Sequence, residues 1–360
     1  MKTLFQNFDR LRLPLILMVV FIHAQFTVKG MMDTVTSYGV VSHFFTLVIS
    51  QVAVPLFFFM SGCLYFRDYD SFSLKTYIDK QKRRFMTLVV PFFIWNTFFW
   101  LLFSGFQLFL PSLMNGGIPS LVDASFKDVV WVYWGNNTGG PIDFPLWFIR
   151  DLITITFLSP VVYFILMRFK AGLFVLLALA YLWISAYPIP LMGNNICMCV
   201  FFFSLGGYFN KVLALDSLRK RLKNALAGGG RFLIATFLLL GILSTLNHYI
   251  WNNTTVSLIA NRLLVIEGIA AMYCVVDRNK PLFDKFKDLI PGDCVFFIFA
   301  THGFLITVIK RIIESMAIDN QLVLIVLYFA VVLITITICV LMYRAIRMVS
   351  PKAMRCFTGR

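Results

Sequence analysis

The sequence predicts an all-α, polytopic integral membrane protein of about ten transmembrane helices, with both termini on the cytoplasmic side. Three observations carry this. The 360-residue chain is 59% hydrophobic and only 14% charged, whereas soluble domains carry about 25% charged residues. Its apolar residues fall into runs of about twenty, long enough to cross a ~30 Å hydrocarbon core. Its basic residues gather in alternate segments between those runs.

In chain order, a short polar lead with Lys2 and Arg10 precedes the first span, 12–28, which carries Arg12 at its start and His23 deep inside. The second span, 43–65, contains Val54-Pro-Leu-Phe-Phe-Phe-Met-Ser-Gly62. A charged segment ending Lys80-Gln-Lys-Arg-Arg84 leads into the third span, 85–109, where Pro91 predicts a kink. The longest loop, 110–146, is nearly uncharged and holds Trp131 and Trp134; a short amphipathic helix is expected at 123–134. Five further spans are expected at 146–167, 171–187, 195–213, 232–250 and 256–276, with a loop at 214–231 that includes Gly228-Gly-Gly. The ninth, 293–311, contains Phe296-Phe-Ile-Phe-Ala-Thr-His302, and the tenth, 321–343, precedes a basic tail.

With the N-terminus inside, 26 of the 32 Lys and Arg residues fall on the inner side. Only Lys29, Lys127, Arg150, Arg262, Lys310 and Arg311 lie outside or in outer helix halves. That asymmetry is the positive-inside pattern, and it explains the net charge of +15 without nucleic acid. Six of the seven cysteines lie in or beside apolar runs, and Cys197-x-Cys199 has no second ligand pair at zinc spacing, so no metal is expected. The first run lacks a small-x-small cleavage site and is expected to stay as a helix. The chain reads as one transmembrane domain, 1–360, with no appended soluble domain.

Ionisable groups inside a bilayer are costly and mark function. Arg12 and His23 are eleven residues apart. On a helix that spacing puts them on one face, about 16 Å apart along the axis. Span direction brings His23, His302 and Glu267 to about the same depth, near the midplane. Two histidines and a carboxylate at one level suit acid–base chemistry, because a neutral imidazole takes a proton from an alcohol and a neighbour orients it. Glu267 has a second candidate role as the partner of Arg262. At the inner mouth Arg12, Lys82, Arg83 and Arg84 form a cationic rim suited to a phosphorylated ligand. Arg150-Asp151, at the outer start of the fourth span, reads as a structural ion pair or as a contact to an acceptor.

These residues resemble the membrane-bound acyltransferase-3 family, which O-acylates surface carbohydrates. The matching features are Arg12-x10-His23, the Val54–Gly62 motif, the basic run into Pro91-Phe-Phe-Ile-Trp95, Leu146-Trp-Phe-Ile-Arg-Asp-Leu152 with Leu158-Ser-Pro160, and Phe296–His302. One departure stands out. The family often has Arg-x-x-Arg at the start of the third helix, and here Arg84-Phe-Met-Thr87 keeps only the first.

The resemblance implies transfer of an acyl group, first of all acetyl, from cytoplasmic acyl-CoA to a hydroxyl of a surface carbohydrate or its lipid-linked precursor. His23 and His302 would be catalytic. Arg12, Arg84, Arg150 and Glu267 would bind substrate, with no metal cofactor. The implied partners are acyl-CoA, the carbohydrate and the bilayer of a bacterial inner membrane, and a homodimer is compatible. The rival reading is a transporter or flippase for a glycolipid or an anionic solute. A non-enzymatic membrane scaffold is a third.

Overall fold

The computed structural model describes residues 2–27, 35–67, 72–110, 118–135, 140–165, 178, 181, 196–214, 216–251 and 254–359. Among them the protein is all-helical, with no strand. The first helix, α1, is Lys2–Ile22. It stops short of the expected 12–28 span, so His23 sits in the closing turn rather than inside a helix. Beyond it the His23 and Ala24 amides still reach backbone carbonyls, and side chains take over from there: Phe26 N donates to Tyr38 Oη at 2.6 Å and Thr27 N to Glu314 Oε1 at 2.7 Å. Such partners make a non-helical segment tolerable at membrane depth.

Helix α2, Ser37–Tyr65, starts six residues before the predicted span, because Thr36 caps it by accepting from Gly39 N at 3.0 Å. Helix α3, Leu74–Phe109, is continuous. Its charged first part joins the apolar part through a π-helical turn, Phe85–Val89. Pro91 follows directly on that turn, which absorbs the lost amide bond where a kink was expected. The short amphipathic helix is present as α4, Phe126–Trp134, closed by a Ser125/Asp128 capping box.

The predicted span 146–167 is broken. Helix α5, Trp147–Phe157, meets α6, Ser159–Ile165, at 60°. Pro160 explains the break: it offers no N–H to the preceding turn and disfavours helical geometry at Ser159. The predicted span 171–187 lies outside the described residues, apart from 178 and 181. Next come α7, Ile196–Ala214, and α8, Asp216–Leu246. Helix α8 runs straight through Gly228-Gly-Gly, where a loop was expected. Gly230 is fitted to its neighbour, since a Cβ there would lie 3.1 Å from Cys274 Sγ.

The remaining helices are α9, Thr254–Arg278; α10, Lys280–Leu289; α11, Gly292–Ser315; α12, Gln321–Val349; and α13, Pro351–Thr358. Among the described residues six helical stretches are long and apolar enough to cross a membrane, in α2, α3, α8, α9, α11 and α12, and the bent pair α5–α6 would make a seventh. The expected ten are therefore not all present as long, straight helices among the described residues.

The core lies where α1, α2, α7, α11 and α12 meet, with Leu15, Ile16, Phe58, Phe203, Phe297 and Tyr328 fully buried. Helices α2 and α7 touch backbone to backbone, because a Cβ at Gly62 would overlap the Phe203 carbonyl and one at Gly206 the Phe59 carbonyl. The contacts sort the helix ends into two layers. At one end Arg10 meets Asp284, Lys80 donates to the Tyr65 carbonyl, and Tyr343 donates to Asp293. Trp95 Nε1 also donates there to the Phe357 carbonyl at 2.9 Å. The opposite end holds the Thr27–Glu314 and Tyr38–Gln321 bonds. The start of α1 and the C-terminal helix thus share the basic end.

Candidate active site

His302 lies ten residues into α11, about 15 Å along its axis. It is fully buried. Its Nδ1 is 3.0 Å from the Ile298 carbonyl and 2.8 Å from that of Phe299. Carbonyl oxygens only accept, so Nδ1 carries the proton, and in the neutral ring Nε2 holds a bare lone pair. That Nε2 is buried and has no hydrogen-bond partner among the described residues. Buried polar atoms are normally satisfied, so an orphan is a functional signal.

The His23 ring stands beside it, with centroids 5.5 Å apart and planes inclined at 35°. The short helical turn Phe144–Leu146 roofs the pair. Phe144 meets the His23 ring edge-on at 4.9 Å. Pro145 presses so closely on Gly303 that a Cβ there would come within 2.6 Å of its ring. Sequence reading passed over Phe144 and Gly303. The signal was a glycine directly after a buried histidine, which marks close approach by another element.

A family model described as an acyltransferase domain matches residues 5–344. The chain belongs to the acyltransferase-3 family. It is a membrane acyltransferase, and no curated protein and no solved structure matches it significantly.

The other sequence-predicted residues of this acyltransferase do not all gather at the histidines. Glu267 accepts from Thr236 Oγ1 across the α8–α9 contact. Arg262 donates to the Tyr181 carbonyl and lies over that ring at 4.7 Å, so Glu267 and Arg262 are not each other's partners. Arg150 is buried, donating from Nε to Asp151 Oδ1 at 2.9 Å and from an Nη to the Trp134 carbonyl at 2.5 Å. Asp151 Oδ2 is buried and has no partner among the described residues. The pair ties α5 to α4.

At the basic end Arg12 and Arg84 stand on different walls. Arg12 is 3.2 Å from Asp9, on the α1 side. Arg84 lies over the Tyr65 ring at 5.9 Å, where Gln81 and Ser159 donate to the Tyr65 hydroxyl. Thr87, at the second arginine position of the family pattern, is covered by Gly359, whose Cα faces its backbone. The Arg10 fork lowers the carboxyl pKa of Asp284 below its ordinary value, chiefly through their hydrogen bonds. Among the described residues no three His, Cys, Asp or Glu side chains converge as a metal set would.

Proposed function

We propose that this acyltransferase moves an acyl group, acetyl foremost, from cytoplasmic acyl-CoA to a hydroxyl of a surface carbohydrate or its lipid-linked precursor. A bacterial inner membrane is the setting this reading implies. The observation that carries it is the histidine pair, with the Nε2 of His302 bare among the described residues and Arg12 at the basic end of the helix that leads to His23.

His302 is oriented by two backbone carbonyls, so its acceptor nitrogen points in one direction. An imidazole held this way either accepts a proton itself or fixes the tautomer of the neighbouring ring. In the proposed step His23 removes the proton of the acceptor hydroxyl, and the bare Nε2 of His302 accepts from the imidazolium that forms. The oxygen attacks the thioester carbonyl, an O–C bond forms, the C–S bond breaks, and the thiolate of CoA takes up the proton. Phe144 and Pro145 cover the pair and limit the water that would otherwise hydrolyse the thioester.

The test is acetyl transfer from labelled acetyl-CoA by purified protein, comparing wild type with His23→Ala and His302→Ala at matched expression. Wild-type rates in both variants would end the proposal. Accumulation of unmodified substrate in liposomes, with no transfer, would replace it with transport.

A further inference from the structure

The chain has four histidines, and they form two pairs. His23 and His302 are the pair of the candidate active site. His43 and His248 are the second, with ring centroids 4.3 Å apart and planes inclined at 20°. His43 lies six residues into α2, about 9 Å from its start. It is buried, and its Nδ1 has no hydrogen-bond partner among the described residues. His248 is exposed and stands three residues before Trp251, where the apolar stretch that contains the end of α8 stops. An exposed ring thus covers a buried one at the end of the molecule opposite the basic end.

Both helices change pitch at this pair. A π-helical turn, Phe44–Ile49, begins directly after His43, and a second, Asn247–Trp251, carries His248. Such turns recur at functional sites. Below the pair the two helices are tightly packed, since a Cβ at Gly241 would come within 2.9 Å of Val48 and 3.1 Å of the Phe44 ring. The histidines close the outer mouth of that seam.

Among the described residues the surroundings offer the pair no counter-charge. Tyr249 meets the His43 ring edge-on at 5.5 Å and the His248 ring at 4.8 Å. Tyr38 of α2 and Tyr328 of α12 bond to Phe26 N and to Thr46. On α9, Arg262 and Glu267 are held by Tyr181 and Thr236. The one charge that acts on His43 is that of His248. A proton on either ring is therefore an unpaired charge against a second imidazole, and two charged rings repel.

Helix α2 carries the consequence inward. Ser42 accepts from Gln25 Nε2 at 3.2 Å, and Thr46 donates to the Phe21 carbonyl at 3.0 Å. These two bonds bracket His43 on α2 and His23 on the facing chain. We propose that His43 and His248 form a proton-operated latch on the outer side: stacked and neutral, the rings hold α8 on α2 and so keep the turn of His23 in place, and a proton from the outer compartment parts them. The latch is independent of the acyl-transfer reading, and its effect on transfer rests on that reading.

The experiment follows amide hydrogen exchange of Asn247–Trp251 in the full chain in nanodiscs, corrected for the intrinsic rate, at about pH 8 and about pH 5, the range in which imidazole changes charge. Wild-type protection of this turn is expected to fall about tenfold at the lower pH, while α11 around His302 keeps its own. The double variant His43→Phe, His248→Phe retains two stacked rings that take up no proton, and its turn should be equally protected at both pH values. Wild-type protection that does not change with pH, or that falls equally in the variant, would overturn the latch. If the double variant does not fold, His248→Gln takes its place under the same criteria. Acetyl transfer over the same pH range should fall less steeply in the variant than in the wild type, and identical profiles would overturn the coupling to His23. If the wild type transfers no acyl group, the reading above falls by itself, and the exchange measurement still decides the latch.

Discussion

The imidazole of His302 lies 5.5 Å, centroid to centroid, from that of His23, and its Nε2 has no partner among the described residues. The two side chains come from the turn that closes α1 and from α11, separated by most of the chain, yet both are delivered about 15 Å from the basic end. A pair of neutral rings with one nitrogen left bare in the core costs stability, because a buried acceptor gives up its hydration without replacement. That cost is understandable when the nitrogen has a reacting proton to meet.

His302→Gln tests this directly. The amide is polar and of similar length, but it does not take up a proton. Transfer is expected to fall about 10²- to 10⁴-fold, the usual contribution of a positioned acid–base group. The melting temperature should stay close to wild type, because Gln can still donate to the Ile298 and Phe299 carbonyls. Rates of acetyl transfer alongside thermal unfolding of the purified protein check both halves of the expectation.

Gly303→Ala acts one residue further on. The added Cβ would lie 2.6 Å from Pro145 Cγ and 3.1 Å from the Phe144 ring. Overpacking of this kind costs about 1–3 kcal/mol. Relief is available only by moving the Phe144–Leu146 turn off the histidines. Transfer should therefore fall, while thioester hydrolysis without acceptor rises as water gains access. Parallel assays with and without acceptor measure the split.

Much of this arrangement was legible in the sequence, and the legible part was depth. Rise per residue along one helix placed Arg12 at the basic end and His23 and His302 at a common level. Azimuth was not legible. Helix α9 is apolar on every side, so nothing in its pattern told which way Glu267 points, and it faces Thr236 on α8 rather than the histidines. Nor could spacing show that Phe144 covers His23, since that contact depends on how separate elements pack. Gly228-Gly-Gly read as a loop from residue type alone. A membrane-protein helix tolerates glycine, and α8 continues through it.

The buried pair of Arg150 and Asp151 separates its two readings by a double substitution. Removing one partner strands a buried charge, at a cost of about 3–5 kcal/mol. Arg150→Ala and Asp151→Ala should each lower the melting temperature sharply. The double variant should recover most of it, because no charge is left unpaired. Acceptor KM in the double variant then decides the role: a wild-type value assigns Arg150 to holding α5 against α4, and a raised value assigns it to the acceptor.

The Arg10–Asp284 clamp makes stability depend on pH. Two parallel hydrogen bonds at 2.8 Å hold the Asp284 carboxyl below its ordinary pKa. A carboxylate depressed in the folded state stabilises the fold fully above the unfolded value of about 3.9, and that stabilisation is lost as pH falls through the lower folded value. Above about pH 5, Asp284→Asn should melt below wild type by a constant margin, as Arg10 loses its charged partner. The margin should shrink as the pH drops below about 4, where the wild-type carboxyl also protonates. Thermal melts of both proteins from about pH 3 to pH 7 check the sign.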